Sequence, residues 1–528
     1  MEAALRTDAP PRGLEALGHG ALDTATAMLD ARHHHSEGRL FVARLLYDAI
    51  LAVEPTHHDA LHGLAVLLVQ WGDVKGGLDL IGRAVDRHGM TNDLDRTLAR
   101  LTRFYLERFV QPTDGLSRRI DVIAPLMPKL RQSPAAYEQL FFHFGGATPK
   151  LRREGHYRTA ARFAKVATLI EPGRFDILFN LGFFLEADGD FEGAAAAYRH
   201  AAAAGDRSQH AHACMMSMHL AFRLGRWSEF KGLLAHKYDY DVVGWWKTHL
   251  PVPIWDGTIR EGARILINGE SGFGDVIQCL RYADYFSQRG MIVHIVCVPG
   301  LKALCALGKG VTSALTQGDR LPPVDFRAQS FDLFYTLETD AARCFGSGPY
   351  IEIAKSPHRA PTLERRDGDV LIGIKWTTTD ATKDLPLALF AKLLLRDGIR
   401  LVSLQPEPPD AESGLTVERP LDSYFADPAY AFVSTAWVID QMDLVVTADS
   451  VIAHLAGAVG AKTWVALKPV PDCRWLVDRT DTPFYDSATL FRQAPDEPWS
   501  AVFDRMAEAL RQRLEAVRPV VQPMARPI

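Results

Sequence analysis

The chain has 528 residues, 47% of them hydrophobic and 23% charged, which excludes an intrinsically unfolded chain and is too long for one core. With 59 Lys and Arg against 64 Asp and Glu, the net charge of −5 argues against non-specific binding to a nucleic-acid backbone. No run reaches the roughly 20 apolar residues of a membrane span; the best, 60–71, is broken by His62 and Gly63. Residues 1–13 hold Glu2, Asp8 and two prolines and no apolar stretch, so no secretory signal is expected. The six cysteines are scattered without a Cys-x-x-Cys pair, so neither structural zinc nor a disulfide framework is expected, and a reducing, cytoplasmic setting is.

The first half repeats itself. Ala160, Ala164 and Ala167 precede Pro172 by 12, 8 and 5 residues, and adding 34 lands on Ala194, Tyr198 and Ala201. Gly182 lies 12 residues before Ala194. This is the spacing of a tetratricopeptide repeat (TPR), in which small residues let two antiparallel helices touch and Pro ends the second. Ala43, Tyr47, Ile50 and Pro55 form an earlier copy, and Gly77, Ile81, Ala84 and Gly89 a weaker one. Gly72, Gly189 and Gly225 punctuate the apolar stretches as helix stops. Residues 91–150, interrupted by Pro112, Pro125, Pro128 and Pro134, read as degenerate or inserted repeats. Such an array presents a groove suited to a polypeptide segment. His33, His34, His35, His57 and His58 suggest no metal site, because three consecutive helical side chains point in different directions.

After Lys237 the pattern turns aromatic, with Tyr238, Tyr240, Trp245 and Trp246, and reads as a connector. Strand and helix then alternate, as in a parallel sheet. Strands are expected at 264–268, 291–298, 331–337, 370–376, 399–404, 444–447 and 463–467, and helices at 275–289, 387–395 and 450–459, the last capped by Gly460. An Arg- and Pro-containing break at 356–369 separates two such units, which suggests two doubly wound halves facing across a cleft.

Three turns carry candidate chemistry. In Asn268-Gly-Glu-Ser-Gly-Phe-Gly-Asp275, Gly272 and Gly274 permit close backbone approach at a strand mouth. Asp275 there either caps the helix or, aimed into the cleft, accepts a proton. The run from Ile374 to Pro386 leaves a strand with hydroxyls, Thr378 among them, and two lysines, Lys375 and Lys383; a lysine at such a place balances a leaving phosphate or is simply exposed. In Thr447-Ala-Asp-Ser-Val-Ile-Ala-His454, Asp449 and Ser450 open a helix directly after a buried strand, where hydroxyl and backbone amides make an anion site, and His454 follows one turn later on the same face.

Together with Trp255-Asp-Gly257, Arg281-Tyr282, Val402-Ser-Leu-Gln405 and Pro471-Asp-Cys-Arg-Trp475, these turns resemble family 9 glycosyltransferases, especially members fused to TPRs, over about residues 250–493. The resemblance implies an α-helical TPR array followed by an α/β GT-B glycosyltransferase of two Rossmann-like lobes. It also implies inverting sugar transfer from a nucleotide-sugar, with no metal and no cofactor beyond the donor. In the related heptosyltransferases the Asp of the Gly-Asp turn is the general base, which implies Asp275. Their lysine in a Thr-Thr-x-Asp-x-x-Lys stretch assists the phosphates, which implies Lys383. Their Asp-[Ser/Thr]-x-x-x-His helix start holds the phosphates, which implies Asp449, Ser450, Val451 and His454. Gly272, Gly274, Lys375, Thr378 and Gln405, the last lining base or ribose, complete the implied donor site. Two departures, Thr377-Thr378-Thr379 in place of a small Ala-Gly-Asn-like turn and Lys468 in place of an apolar residue, leave the donor open.

The expected divisions are a repeat domain at 14–236, a connector at 237–262, an acceptor lobe at 263–362, a nucleotide-sugar lobe at 363–518 and a tail at 519–528. The expected activity is cytoplasmic transfer of a sugar to a protein held in the TPR groove. Flagellin is the first named acceptor, and a CMP-activated nonulosonic acid one possible donor. The alternatives are a heptosyltransferase-like enzyme acting on a lipid-linked or lipopolysaccharide glycan, and a non-catalytic TPR scaffold.

Overall fold

A computed structural model describes residues 22–109, 132–133, 151, 155–234, 236, 252–269, 272–337 and 348–517. The prolines at 112, 125, 128 and 134, Glu270, Ser271, the aromatic part of the connector and the 519–528 tail lie outside the described residues. The chain forms two compact units, Met1–Ala213 and Cys214–Ile528.

Among the described residues the first unit holds the helices α1 (Thr24–Ser36), α2 (Leu40–Val53), α3 (His58–Gln70), α4 (Val74–His88), α5 (Asn92–Phe109), α6 (Tyr157–Ile170), α7 (Phe175–Ala187) and α8 (Phe191–Ala204). Helices α2 and α4 start 34 residues apart, at Leu40 and Val74, and so do α6 and α8, at Tyr157 and Phe191, as the sequence register requires. Every small or aromatic register residue named above in α2, α6 and α8 is buried. The side chains of Asp23, Asp73 and Asp190 cap α1, α4 and α8. Gly72 and Gly189 take φ near +90°, the left-handed stop between helices.

Gly182 shows why the register needs a glycine. A Cβ there would lie 2.6 Å from the Tyr198 ring. That ring cannot retreat, because its hydroxyl donates to Glu186 Oε2 at 2.7 Å. Gly182→Ala is therefore expected to destabilise the first unit by about 1–3 kcal/mol, the usual cost of overpacking, despite alanine's better helix propensity. Urea unfolding followed by circular dichroism checks it; an unchanged midpoint would contradict the packing.

The second unit begins within α9 (Arg207–Arg223). Met218, Ala221 and Phe222 of α9 and Phe230 of α10 (Trp227–Leu233) join the core of that unit, so these turns pack with the sheets although the expected repeat domain runs to 236. A four-stranded parallel sheet has the order β3-β2-β1-β4, from β1 (Arg264–Asn268), β2 (Ile292–Val296), β3 (Val311–Leu315) and β4 (Phe326–Gln329). A six-stranded parallel sheet has the order β10-β9-β8-β5-β6-β7. Its strands are β5 (Val370–Lys375), β6 (Ile399–Ser403), β7 (Val417–Glu418), β8 (Leu444–Ala448), β9 (Thr463–Leu467) and β10 (Ala488–Arg492). A helical array followed by two doubly wound parallel sheets is the expected fold class.

Several local expectations are corrected. The run 331–337 is helical, within Ser330–Leu337, and the strand is the less apolar Phe326–Gln329 just before it. A short, almost continuously apolar run has no period to separate strand from helix. β3 was hidden by Thr312 and Ser313 on a sheet edge. The single helix expected at 275–289 is two, α11 (Phe273–Cys279) and α12 (Arg281–Ser287). They break at Leu280, whose amide is shared between the carbonyls of Val276 and Ile277. The 387–395 segment is a 3₁₀ helix, Leu387–Leu393.

Candidate active site

Each sheet changes direction once. From β1 the chain builds β2 and β3 on one side and β4 on the other; from β5 it builds β6 and β7 on one side and β8 to β10 on the other. Crevices outside the carboxyl ends of strands at such reversals are where open α/β sheets bind ligands. The loops leaving β1, β5 and β8 hold the candidate turns, and Lys375 pairs with Thr447 in the β5–β8 register.

After β1, Gly269 approaches the Val296 carbonyl so closely that a Cβ would sit 2.8 Å from it. Gly272 caps α11, and its amide donates to Asp275 Oδ2 at 2.8 Å. Asp275 is buried, and its other oxygen forms an ion pair with Arg474. Arg474 also pairs with Asp472 at 2.5 Å. Burial disfavours the Asp472 charge, but Arg474 first and Lys383 after it outweigh burial and hold that carboxyl well below the usual carboxylate range. The same two acids raise the Arg474 guanidinium against its burial. Helix capping and a charge turned toward the second sheet's loops therefore coexist in Asp275.

After β5 and β8 lies a second set of charges. Lys383 Nζ donates to Asp449 Oδ2 at 2.8 Å, and the Trp475 indole donates to Asp449 Oδ1 at 2.6 Å. Burial works against the Lys383 ammonium, but Asp449 overcomes it and raises its pKa, so Lys383 stays cationic. Lys468 Nζ, at the end of β9, donates to Thr382 Oγ1 at 2.6 Å, and Lys375 Nζ donates to Thr377 Oγ1 at 3.1 Å with Glu407 3.5 Å away. Burial lowers the pKa of both, partly offset by Asp380 and Glu407 respectively. The Ser450 hydroxyl caps α13 (Val451–Val459) by accepting from the Ile452 amide at 3.3 Å, and lies 2.9 Å from Thr447 Oγ1. Val451, half-buried, is the first residue of that helix.

His454 joins the two sets. A Cβ on Gly274 would lie 2.7 Å from His454 Cδ2, so only glycine lets α11 and the imidazole touch. His454 Nδ1 lies 2.9 Å from the Tyr485 hydroxyl, and its ring stacks on Trp475 at 5.0 Å and 18°. Arg281, buried on α12, donates to the Phe484 carbonyl at 2.8 Å and lies over the Tyr350, Phe484 and Tyr485 rings. Burial first, then the charges of Arg474, Arg281 and Lys383, push the His454 pKa down to about 3. His454 is thus neutral at pH 7, serving as a hydrogen-bonding and stacking group.

That shift predicts a pH dependence. The unfolded state takes up the proton first, so the contribution is absent above pH 6.5 and stability is lost as pH falls from 6.5 toward about 3. The slope approaches about 1.4 kcal/mol per pH unit at its steepest. Urea midpoints measured from pH 7.5 to 4.5 should fall less steeply in His454→Gln; equal slopes would contradict the neutral, buried imidazole.

The structure therefore brings together Gly272, Gly274, Asp275, Lys383, Asp449, Ser450, Val451 and His454. Lys375 and Thr378 sit on the adjoining β5 loop, where the Thr378 amide donates to Asp384 Oδ1 at 2.6 Å and its hydroxyl to the Asp380 carbonyl at 2.6 Å. Gln405 differs from expectation. It is completely buried, and its Oε1 accepts from the Trp376 and Thr377 amides at 3.0 and 3.1 Å, so it shapes the β5 loop from beneath and does not line a pocket for base or ribose. Its Nε2 is buried without a hydrogen-bond partner. Sequence reasoning gave no role to Arg474, Trp475 or Tyr485. The run 471–475 was visible as a motif, but nothing in its spacing says what an arginine or an indole there touches.

No family model matches the chain, and no curated protein matches it. Among solved structures, it is similar to a family 9 glycosyl transferase from Veillonella parvula DSM 2008, at 13% identity over 50% of this chain and 92% of the other, with a TM-score of 0.33. It is likewise similar to ADP-heptose lipopolysaccharide heptosyltransferase II of E. coli, at 17% identity over 48% of this chain and 99% of the other, TM-score 0.31. A second kind of likeness is to YrrB, a TPR protein with an unusual peptide-binding site, at 20% identity over 37% of this chain and 92% of the other, TM-score 0.17.

Proposed function

We propose that the chain is a metal-independent, inverting glycosyltransferase that moves a sugar from a nucleotide-sugar to a protein recruited by its TPR unit. Asp275 takes the proton of the acceptor's nucleophilic group as that group bonds to the sugar's anomeric carbon. The bond from that carbon to the donor phosphate breaks, and the leaving phosphate keeps the electron pair. Lys383, with Lys375, Lys468 and the amides opening α13, balances the charge that develops there. Neutral His454 contributes shape and hydrogen bonding on this route, not proton transfer.

One observation supports this reading above the others: a carboxylate after β1 and a lysine–carboxylate pair between β5 and β8 share the single turn that carries Arg474 and Trp475. That is an acid–base group set beside an anion-binding group at two sheet reversals.

The acceptor class rests on the repeats, which would raise the local concentration of a tethered polypeptide. Flagellin is the first acceptor to test, and CMP-activated nonulosonic acids belong among the donors tested. Among the described residues no helix is long and apolar enough to cross a membrane. Intact mass analysis of candidate acceptors from cells with and without the chain tests the proposal, since the added mass identifies the sugar. Unchanged protein masses together with a truncated lipopolysaccharide would favour the glycan-acceptor reading instead. No change in either, with no nucleotide bound, would leave a scaffold.

A further inference from the structure

We infer that the short turn 472–475 is a clamp across the two sheets' loops, in which Arg474 is a positioning residue for Asp275 and Trp475 is a positioning residue for Lys383. Its catalytic consequence rests on the glycosyl-transfer reading above; its structural claim does not.

The turn is one 3₁₀ helix, Cys473–Trp475, capped by Asp472, whose carboxylate accepts from the Arg474 amide at 3.1 Å. Arg474 extends to Asp275, at the loop after β1. Asp472 holds the guanidinium from its other side, so two carboxylates fix its plane. Trp475, the next residue, is almost wholly buried. Its N–H fixes one oxygen of Asp449, whose other oxygen receives Lys383, and its ring face is covered by His454. The turn is closed by Leu476 at φ +53°, a conformation that a buried, branched side chain keeps only where its surroundings hold it. Behind it, Arg492 Nη2 donates to the Trp475 carbonyl at 2.6 Å, and Arg223 Nε to the Pro471 carbonyl at 3.0 Å.

Adjacent residues of one rigid turn therefore orient the proton acceptor and the phosphate-balancing lysine. A shift of this turn moves both together, and such misplacement is costly in a reaction that depends on alignment.

The experiment uses the full chain and two readouts. Arg474→Met is expected to speed amide exchange in residues 273–279 by about 10-fold or more while leaving α14 (Trp499–Val517) unchanged, because local opening is freed where its tie is cut. In transfer assays it is expected to lower kcat about 100-fold with little change in donor KM. Arg474→Lys keeps the charge and should recover part of that loss, as should added guanidinium ion with Arg474→Ala. Trp475→Phe keeps the stack on His454 but loses the N–H. It should weaken binding of ADP, UDP, CDP or CMP, whichever binds the parent chain, by about 10-fold, with no response to guanidinium.

Unchanged exchange at 273–279 in a folded Arg474→Met chain would overturn the clamp. If that variant does not fold, exchange in Arg474→Gln decides by the same criterion, since a neutral amide cannot form the ion pair with Asp275. A parent chain that binds no nucleotide and transfers nothing would overturn the glycosyltransferase reading, and the exchange result would still decide the clamp.

Discussion

Asp275→Asn is expected to abolish transfer nearly completely, with kcat falling by about 10³-fold, within the range for removal of a general base, while the nucleotide still binds. The amide keeps the volume and one acceptor oxygen, so the cap from the Gly272 amide survives. It loses the negative charge that faces Arg474 and the capacity to take a proton. Stopped transfer assays with calorimetric titration of the nucleotide separate the two effects. Activity within a few-fold of the parent would move the base elsewhere. Loss of nucleotide binding as well would mean that Asp275 supports the donor site through Arg474 and is not the base.

Lys383→Met is expected to lower kcat by about 10²- to 10³-fold, as removal of a group that stabilises developing charge does. It should also weaken nucleotide binding, because Asp449 is then left without its cation beside the proposed phosphate position. The two effects can be told apart. Adding Asp449→Asn to Lys383→Met should restore part of the binding, since the unbalanced carboxylate is removed, but little of kcat, since the cation is still missing. Full additivity of the two substitutions would show that the pair does not act as one unit. Lys375 and Lys468 do not replace Lys383. Burial lowers both of their pKa values, and they reach Thr377 and Thr382 and not Asp449.

Much of this cluster is legible in the sequence. Turn residues after buried strands have few chemical reasons to combine glycines, a carboxylate and a lysine, and Asp275, Lys383, Asp449 and His454 do converge. Gln405 shows the limit of that reasoning. A polar residue at a strand end is as well placed to brace a loop as to line a pocket, and only burial distinguishes the two. The helix at Ser330–Leu337 shows another limit, since a seven-residue apolar run satisfies both periods until its neighbours choose.

The sequence by itself determined the repeating helices and the alternation of strand and helix. Both follow from short-range rules: the step of 34 that brings small residues face to face, and the punctuation of apolar runs by glycine. Only the tertiary structure decided that Arg474 meets Asp275, almost 200 positions earlier, and that His454 rests on Gly274. Those contacts come from the packing of two separately formed sheets, and no local pattern of residues encodes a partner so distant in the chain.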